Sequence, residues 1–316
     1  FVLTTTRFPS DCAQRFSREA DFESWRGRLE ICGPLELSDM RLVERFCDQL
    51  VLRFPRIDVL INNAAQTLTR RDGWETRMGS MEHMARRALP ASAEGLLRQP
   101  AQLMSPDIQA LSAASNEVPS SSLVKVAHGS EDSQWLEVLQ DFPEGQLDES
   151  AQPLDLSRTN SWSRRLGEIP TLELLQTLAA NTAAPFIMCS RLACRLAPEG
   201  LADDYGHIIN VSAMEGKFSA KFKSEGHPHT NMAKAALNML TNTSAPDLFR
   251  RRILMNCVDT GWVTDMAPRG IGKVAATHST FVGPPLDEID GAARVLDPIF
   301  LHVKDPTWLG RGKFFK

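Results

Sequence analysis

His207-Ile208-Ile209-Asn210-Val211-Ser212 is the stretch on which the reading of this chain turns. Gly206 precedes it, its Ile and Val side chains suit a buried pleated backbone, and Ser212 ends it, so a strand is predicted over residues 207–211. Pro228 and Thr230 then stand where a helix begins, and Met232, Ala233, Ala236, Leu237 and Leu240 recur at helical spacing. Residues 252–258 form the next apolar run, closed by Asp259-Thr260-Gly261. Strand, long helix and strand in that order predict two parallel strands joined by a crossover helix.

The same rhythm extends in both directions. Residues 1–6 read as a buried strand ending at Arg7 and Pro9. Ser38-Asp39 offers a helix cap, Val43, Phe46, Leu50 and Phe54 make the apolar face, and Pro55 stops the helix. Residues 57–61 are a further strand, leading into Asn62-Asn63-Ala64-Ala65. Thr171 is expected to cap a long helix carrying Leu174, Leu175 and Leu178 and, past Asn181, Phe186, Cys189 and Leu192. A helix over residues 289–301 and a short strand over 313–315 close the chain. The predicted fold is therefore α/β, a doubly wound, Rossmann-like parallel sheet, which binds ligands beyond the carboxyl ends of its strands. Those ends carry Arg7, residues 62–65, Ser212 and residues 259–264.

The rhythm breaks after Arg71. Between Gln99 and Ser130, seven Ser, five Ala and three Pro take 15 of 32 positions, with only Asp107, Glu117 and Lys125 charged. Such a composition buries too little apolar surface to offset the entropy of ordering. The expected organisation is a first part of the domain over residues 1–72, a largely flexible insertion over 73–160 with a short helix near Trp135, and a second part over 161–316.

Composition excludes several functions. With 316 residues, 42% hydrophobic and 23% charged, the chain is an ordinary globular sequence. No apolar run approaches the length of a membrane-spanning helix. A net charge of −4 disfavours a nucleic-acid binder. The six cysteines include no Cys-x-x-Cys pair, so no metal site is expected, and buried thiols in a reducing, cytoplasmic setting are the reading.

The strand ends together resemble the short-chain dehydrogenase/reductase family. Asn62-Asn63-Ala64-Ala65 resembles its Asn-Asn-Ala-Gly turn, and Asn181, followed by Pro185-Phe186, its helix-borne catalytic Asn. Ser212 resembles its catalytic Ser, Lys234 the Lys of its Tyr-x-x-x-Lys pair, and residues 259–264 the segment lining the nicotinamide. The resemblance covers everything but the insertion. It implies hydride transfer between a nicotinamide nucleotide and a carbonyl or alcohol of a small-molecule substrate, in a chain compatible with a homo-oligomer. Ser212, Lys234 and Asn181 are the implied catalytic residues. Arg7, Glu36, Asn62, Asn63, Ala64, Lys234, Gly261, Val263 and Thr264 are the implied cofactor contacts. Arg7 resembles a reader of the 2′-phosphate of NADP, with NAD the second choice.

Three departures accompany the resemblance. Thr230, not Tyr, stands four positions before Lys234, and an aliphatic hydroxyl is a far weaker acid than a phenol. Tyr205, the single tyrosine, lies seven residues before Ser212 along an extended strand, roughly 20 Å away. His227 and His229 are the alternative proton carriers. The glycine-rich pyrophosphate turn is not in the sequence, and Phe1 begins what resembles the second strand, so the first strand, that turn and the first helix are expected upstream. The insertion separates Asn62 from Asn181 by 119 positions. A binding scaffold that keeps the fold and lacks the proton donor is the alternative to an oxidoreductase.

Overall fold

Every ladder between named strands is parallel, as the alternation of apolar runs and helices requires. The computed structural model describes residues 1–69, 72–98, 140–148, 151–197, 204–220, 223–264, 266 and 284–316. In chain order the elements are β1 (Val2–Thr5), α1 (Pro9–Phe16), α2 (Phe22–Trp25), β2 (Leu29–Cys32), α3 (Met40–Arg53), β3 (Val59–Asn62), α4 (Asp72–Ala88), α5 (Ala91–Glu94) and β4 (Leu97–Arg98). They continue as α6 (Thr171–Leu178), a π turn (Ala179–Ala183), α7 (Ala184–Leu196), β5 (Gly206–Ser212), α8 (Pro228–Arg250), β6 (Ile253–Asp259), α9 (Glu288–Lys304) and β7 (Phe314–Phe315). None of the described helices is long and apolar enough to cross a membrane.

Two compact units result, Phe1–Gln49 with Arg70–Leu156, and Leu50–Thr69 with Ser157–Lys316. The first holds a three-stranded sheet in the order β1-β2-β4. Its core is Ala13 of α1, Phe22 of α2, Ala93 of α5 and Leu96 of the turn after α5, clustered with Ile31 of β2. The second holds a four-stranded sheet in the order β3-β5-β6-β7. There Ile209 and Val211 of β5 and Val258 of β6 pack beneath Val295 of α9. The doubly wound parallel architecture expected from sequence is thus present, with its strands distributed over two sheets.

Local chemistry explains the boundaries. Asp39 accepts from Leu42 N at 3.0 Å and starts α3, as the Ser38-Asp39 pair suggested. Thr171 does not cap α6: Pro170 holds that place, with no side-chain cap, and Thr171 is the first helical residue. Gly206 opens β5 where a Cβ would stand 2.1 Å from Leu196 O, so only glycine lets the two backbones pass.

Residues 73–98, expected within the flexible insertion, carry regular secondary structure. α4 buries Trp74 and Met78 against Phe142, α5 follows it, and β4 pairs with β2 through Ile31 and Leu97. The helix expected near Trp135 and the Ser-rich stretch before it lie outside the described residues.

Candidate active site

β5 and β6 run in register from Gly206 beside Ile253 to Ser212 beside Asp259, so both strands end at one level. β3 joins them with Asn62 beside Asn210. The carboxyl ends of these three strands collect the residues that the sequence pointed to in the second unit.

α8 brings Lys234 under this edge. Its Nζ donates to Val211 O at 2.8 Å, while Ser212 Oγ lies 3.4 Å from Lys234 O. Lys234 is buried, and burial, opposed by Cys257 and Asp259, pulls its ammonium down to about 8. Burial likewise pushes the Cys257 thiol up to about 11. Asp259 Oδ1 accepts from Gly261 N at 2.9 Å, which tightens the turn that Gly261 enters at φ +78°. Val263 packs close to Gly291, and Arg294 donates to Thr260 O at 3.3 Å, tying the start of this segment to α9.

Ser212 Oγ also donates to Asn238 Oδ1 at 2.6 Å, and Asn238 Nδ2 is buried without a hydrogen-bond partner. Asn238 was missed in the sequence reading. Its signal is position: it follows Lys234 by one helical turn and so shares its face.

Asn181 sits inside the π turn, a geometry that recurs at functional sites. Its Oδ1 accepts from Gln66 N at 2.5 Å and its Nδ2 donates to Gln66 O at 2.9 Å, so it clamps the backbone just beyond β3. Thr182 Oγ1, next to it, donates to Ala233 O at 3.3 Å, next to Lys234. Asn181, Lys234 and Ser212 are therefore linked through neighbouring backbone.

Asn62 points inward. It donates to Asn210 Oδ1 at 2.8 Å, Asn210 donates to Thr241 Oγ1 at 2.8 Å, and Thr241 donates to Leu237 O at 3.1 Å. This buried chain ties β3, β5 and α8 together. Asn63 and Ala64 are exposed at the strand end.

Thr230 lies one turn before Lys234 on α8. Thr230 is buried, and its Oγ1 has no hydrogen-bond partner among the described residues. Both neighbouring histidines face other groups. The His227 ring stacks on Trp162 at 3.8 Å with Nδ1 2.9 Å from Trp162 O, and burial lowers its pKa against the pull of that carbonyl. His229 Nε2 lies 3.2 Å from Glu173 Oε1, both side chains buried. Burial would raise the Glu173 carboxyl, but His229, Ser161 and Arg164 together hold it below the ordinary range. Tyr205 packs on Phe249 and His302, before the amino end of β5, opposite to Ser212.

In the first unit, Arg7 follows β1 as expected, but its guanidinium is already engaged. Nε lies 2.9 Å from Glu36 Oε2 and Nη2 2.6 Å from Glu75 Oε2.

The family model described as enoyl-(acyl carrier protein) reductase matches residues 157–284. An uncharacterized protein of Acanthamoeba polyphaga mimivirus is 25% identical over 98% of this chain. The chain spans 60% of the length of that relative. The RhlG/NADP active-site complex of Pseudomonas aeruginosa superposes with a TM-score of 0.53 at 14% identity, over 99% of this chain and 83% of that one, and shares its fold. The NADPH-bound carbonyl reductase from chicken fatty liver gives a TM-score of 0.45 at 16% identity, over 92% and 82%.

Proposed function

We propose, for a chain that belongs to the short-chain dehydrogenase/reductase family as a divergent member, that it binds NADP(H) and transfers hydride to or from a small carbonyl or alcohol. The observation that supports this is the meeting of Ser212, Lys234 and the Asn181 clamp at the carboxyl ends of β3 and β5. The residues suit the nicotinamide end of a dinucleotide. Thr230 Oγ1 is an orphaned buried hydroxyl, and Lys234 spends one of its three N–H donors on Val211 O. RhlG, which shares the fold, was solved with NADP, and Arg7 is the group we assign to the 2′-phosphate.

The bound nucleotide supplies the hydride. Lys234 holds ribose hydroxyls with its remaining donors. Ser212 orients the substrate oxygen. A half-turn of the Asn238 amide lets Nδ2 donate to Ser212 Oγ and frees the serine proton for that oxygen, while it satisfies the buried Nδ2. Asn181 holds the turn after β3, where residues 63 and 64 meet the nucleotide. Gly261, Val263 and Thr264 line the nicotinamide. Proton transfer is the weak link, because Thr230 is a poor acid and both histidines are held elsewhere. General acid catalysis is worth about 10²–10⁴-fold, and turnover slower by about that factor is the expected result.

NADPH titration by fluorescence, followed by NADPH oxidation with a panel of aldehydes and ketones, tests this reading. Binding by the parent, weakened in Lys234→Met, and turnover raised in Thr230→Tyr are the expected results. A parent that does not bind NADPH refutes it. Binding without reduction of any carbonyl, in parent and Thr230→Tyr alike, selects the second reading, a nucleotide-binding scaffold, which Thr230 itself favours.

A further inference from the structure

Arg7 stands between two carboxylates that reach it by different routes. Glu36 is fixed locally, because its Oε1 accepts from Ser38 N at 3.0 Å and Ser38 Oγ at 2.9 Å while Oε2 faces the guanidinium. Glu75 arrives on α4, a helix fastened to the segment just after Arg7. Glu82, two turns along the same helix face, accepts from Ser10 N and Asp11 N at 2.8 Å each, covering the first amides of α1. Trp74, adjacent to Glu75, is buried and meets Phe8 edge-on at 5.9 Å. A packed helix therefore delivers Glu75 to Arg7. One positive and two negative charges share the spot, and an incoming anion meets a net negative site.

We propose that Glu75 is a selectivity residue: its carboxylate competes with the nucleotide 2′-phosphate for Arg7, so the protein favours NADP over NAD by less than Arg7 alone would allow. The inference rests on the reading that a nicotinamide nucleotide binds. Glu75 occupies Nη2 and repels a phosphate that approaches the rest of the guanidinium, whereas a nucleotide with a free 2′-hydroxyl meets no such repulsion. Arg7 and Glu75 are both about two-fifths exposed, so the competition is modest. An exposed pair limits it to about threefold to fivefold.

Dissociation constants for NADPH and NADH, measured by fluorescence on the parent, Glu75→Gln, Arg7→Ala and the double variant, test the proposal. Glu75→Gln should tighten NADPH about threefold to fivefold and leave NADH unchanged, and the NADPH gain should vanish when Arg7 is absent. The gain should shrink at high salt. Equal changes for both nucleotides, no change for either, or a gain that persists without Arg7 overturns the proposal while nucleotide binding stands. If neither parent nor Glu75→Gln binds either nucleotide, the proposed function fails and takes this inference with it.

Discussion

Replacing Lys234 by Met should make the protein more stable near neutral pH, although it removes a residue that we assign to nucleotide binding. Burial brings the Lys234 ammonium down to about 8 from 10.5. Each unit is worth about 1.4 kcal/mol, so the charged lysine costs the fold about 3 kcal/mol at pH 7. Met fills much of the same volume without charge. Its drawback is Val211 O, which loses the Nζ donor at a cost of about 1–2 kcal/mol. The net gain is then about 1–2 kcal/mol at pH 7. The sign reverses with pH. An unfolded lysine keeps its proton to about 10.5, whereas the folded one releases it near 8, so the unfolded state binds more protons between them. Parent stability should therefore rise relative to the variant across that window and overtake it by the top. Urea unfolding followed by circular dichroism at pH 7, 8, 9 and 10 reads this directly, since other titrations cancel in the difference. A difference that does not change with pH, or that moves in the variant's favour as pH rises, refutes the reasoning.

Other expectations follow from single contacts. Gly206→Ala drives a Cβ to 2.1 Å from Leu196 O and should lower stability by about 3 kcal/mol or more in thermal melts, whereas Gly167→Ala, with nothing within 4 Å, should change little. Asn210→Leu leaves the Asn62 amide with only Cys189 Sγ at 3.4 Å, takes one donor from Thr241 Oγ1, and should cost about 1–3 kcal/mol in urea unfolding. His207 is buried 3.0 Å from His302, and burial, then His302, lowers its pKa to about 4. The unfolded chain takes up that proton first, so stability should fall as pH drops from about 6.5 to 4, by about 2–3 kcal/mol, and His207→Phe should flatten the fall. Hydrogen exchange should find the amides of residues 75–86 protected, as α4 requires, and rapid exchange throughout them would contradict its packing.

Legibility followed the range of the interactions. β5, β6 and α8 could be read because the apolar runs, glycine and prolines that define them are local. Ser212 could be read as a strand end once parallel strands were inferred, whereas Lys234 was reached only through the resemblance, because a lysine on a helix carries no local signal of burial. α4 was legible too, since Trp74, Met78, Met81 and Ala85 recur at helical spacing, but the Ser-rich stretch after it dominated the reading of the whole segment. Trp162 beneath His227 and Glu173 beside His229 carry no local signal, because only tertiary packing brings them together. Arg7 was placed correctly at the end of β1, yet its charge balance depends on Glu75, sixty-eight positions away. The π turn has no signature in residue pattern at all.

That turn gives the helix pair a phase. Over Ala179–Ala183 the chain carries one residue more than a regular helix needs for the same advance, and each residue sets the direction of all later ones by about 100°. Buried Thr177 precedes the turn, and buried Pro185, Cys189 and Leu196 follow it. A one-residue deletion inside it would leave a regular helix that covers the same advance, so Pro185, Cys189 and Leu196 would keep their places in the interior. The loss would fall on Asn181, whose side chain holds both backbone groups of Gln66 from within the bulge. A single codon lost here would spare the packing of α7 and undo the hold on the segment after β3.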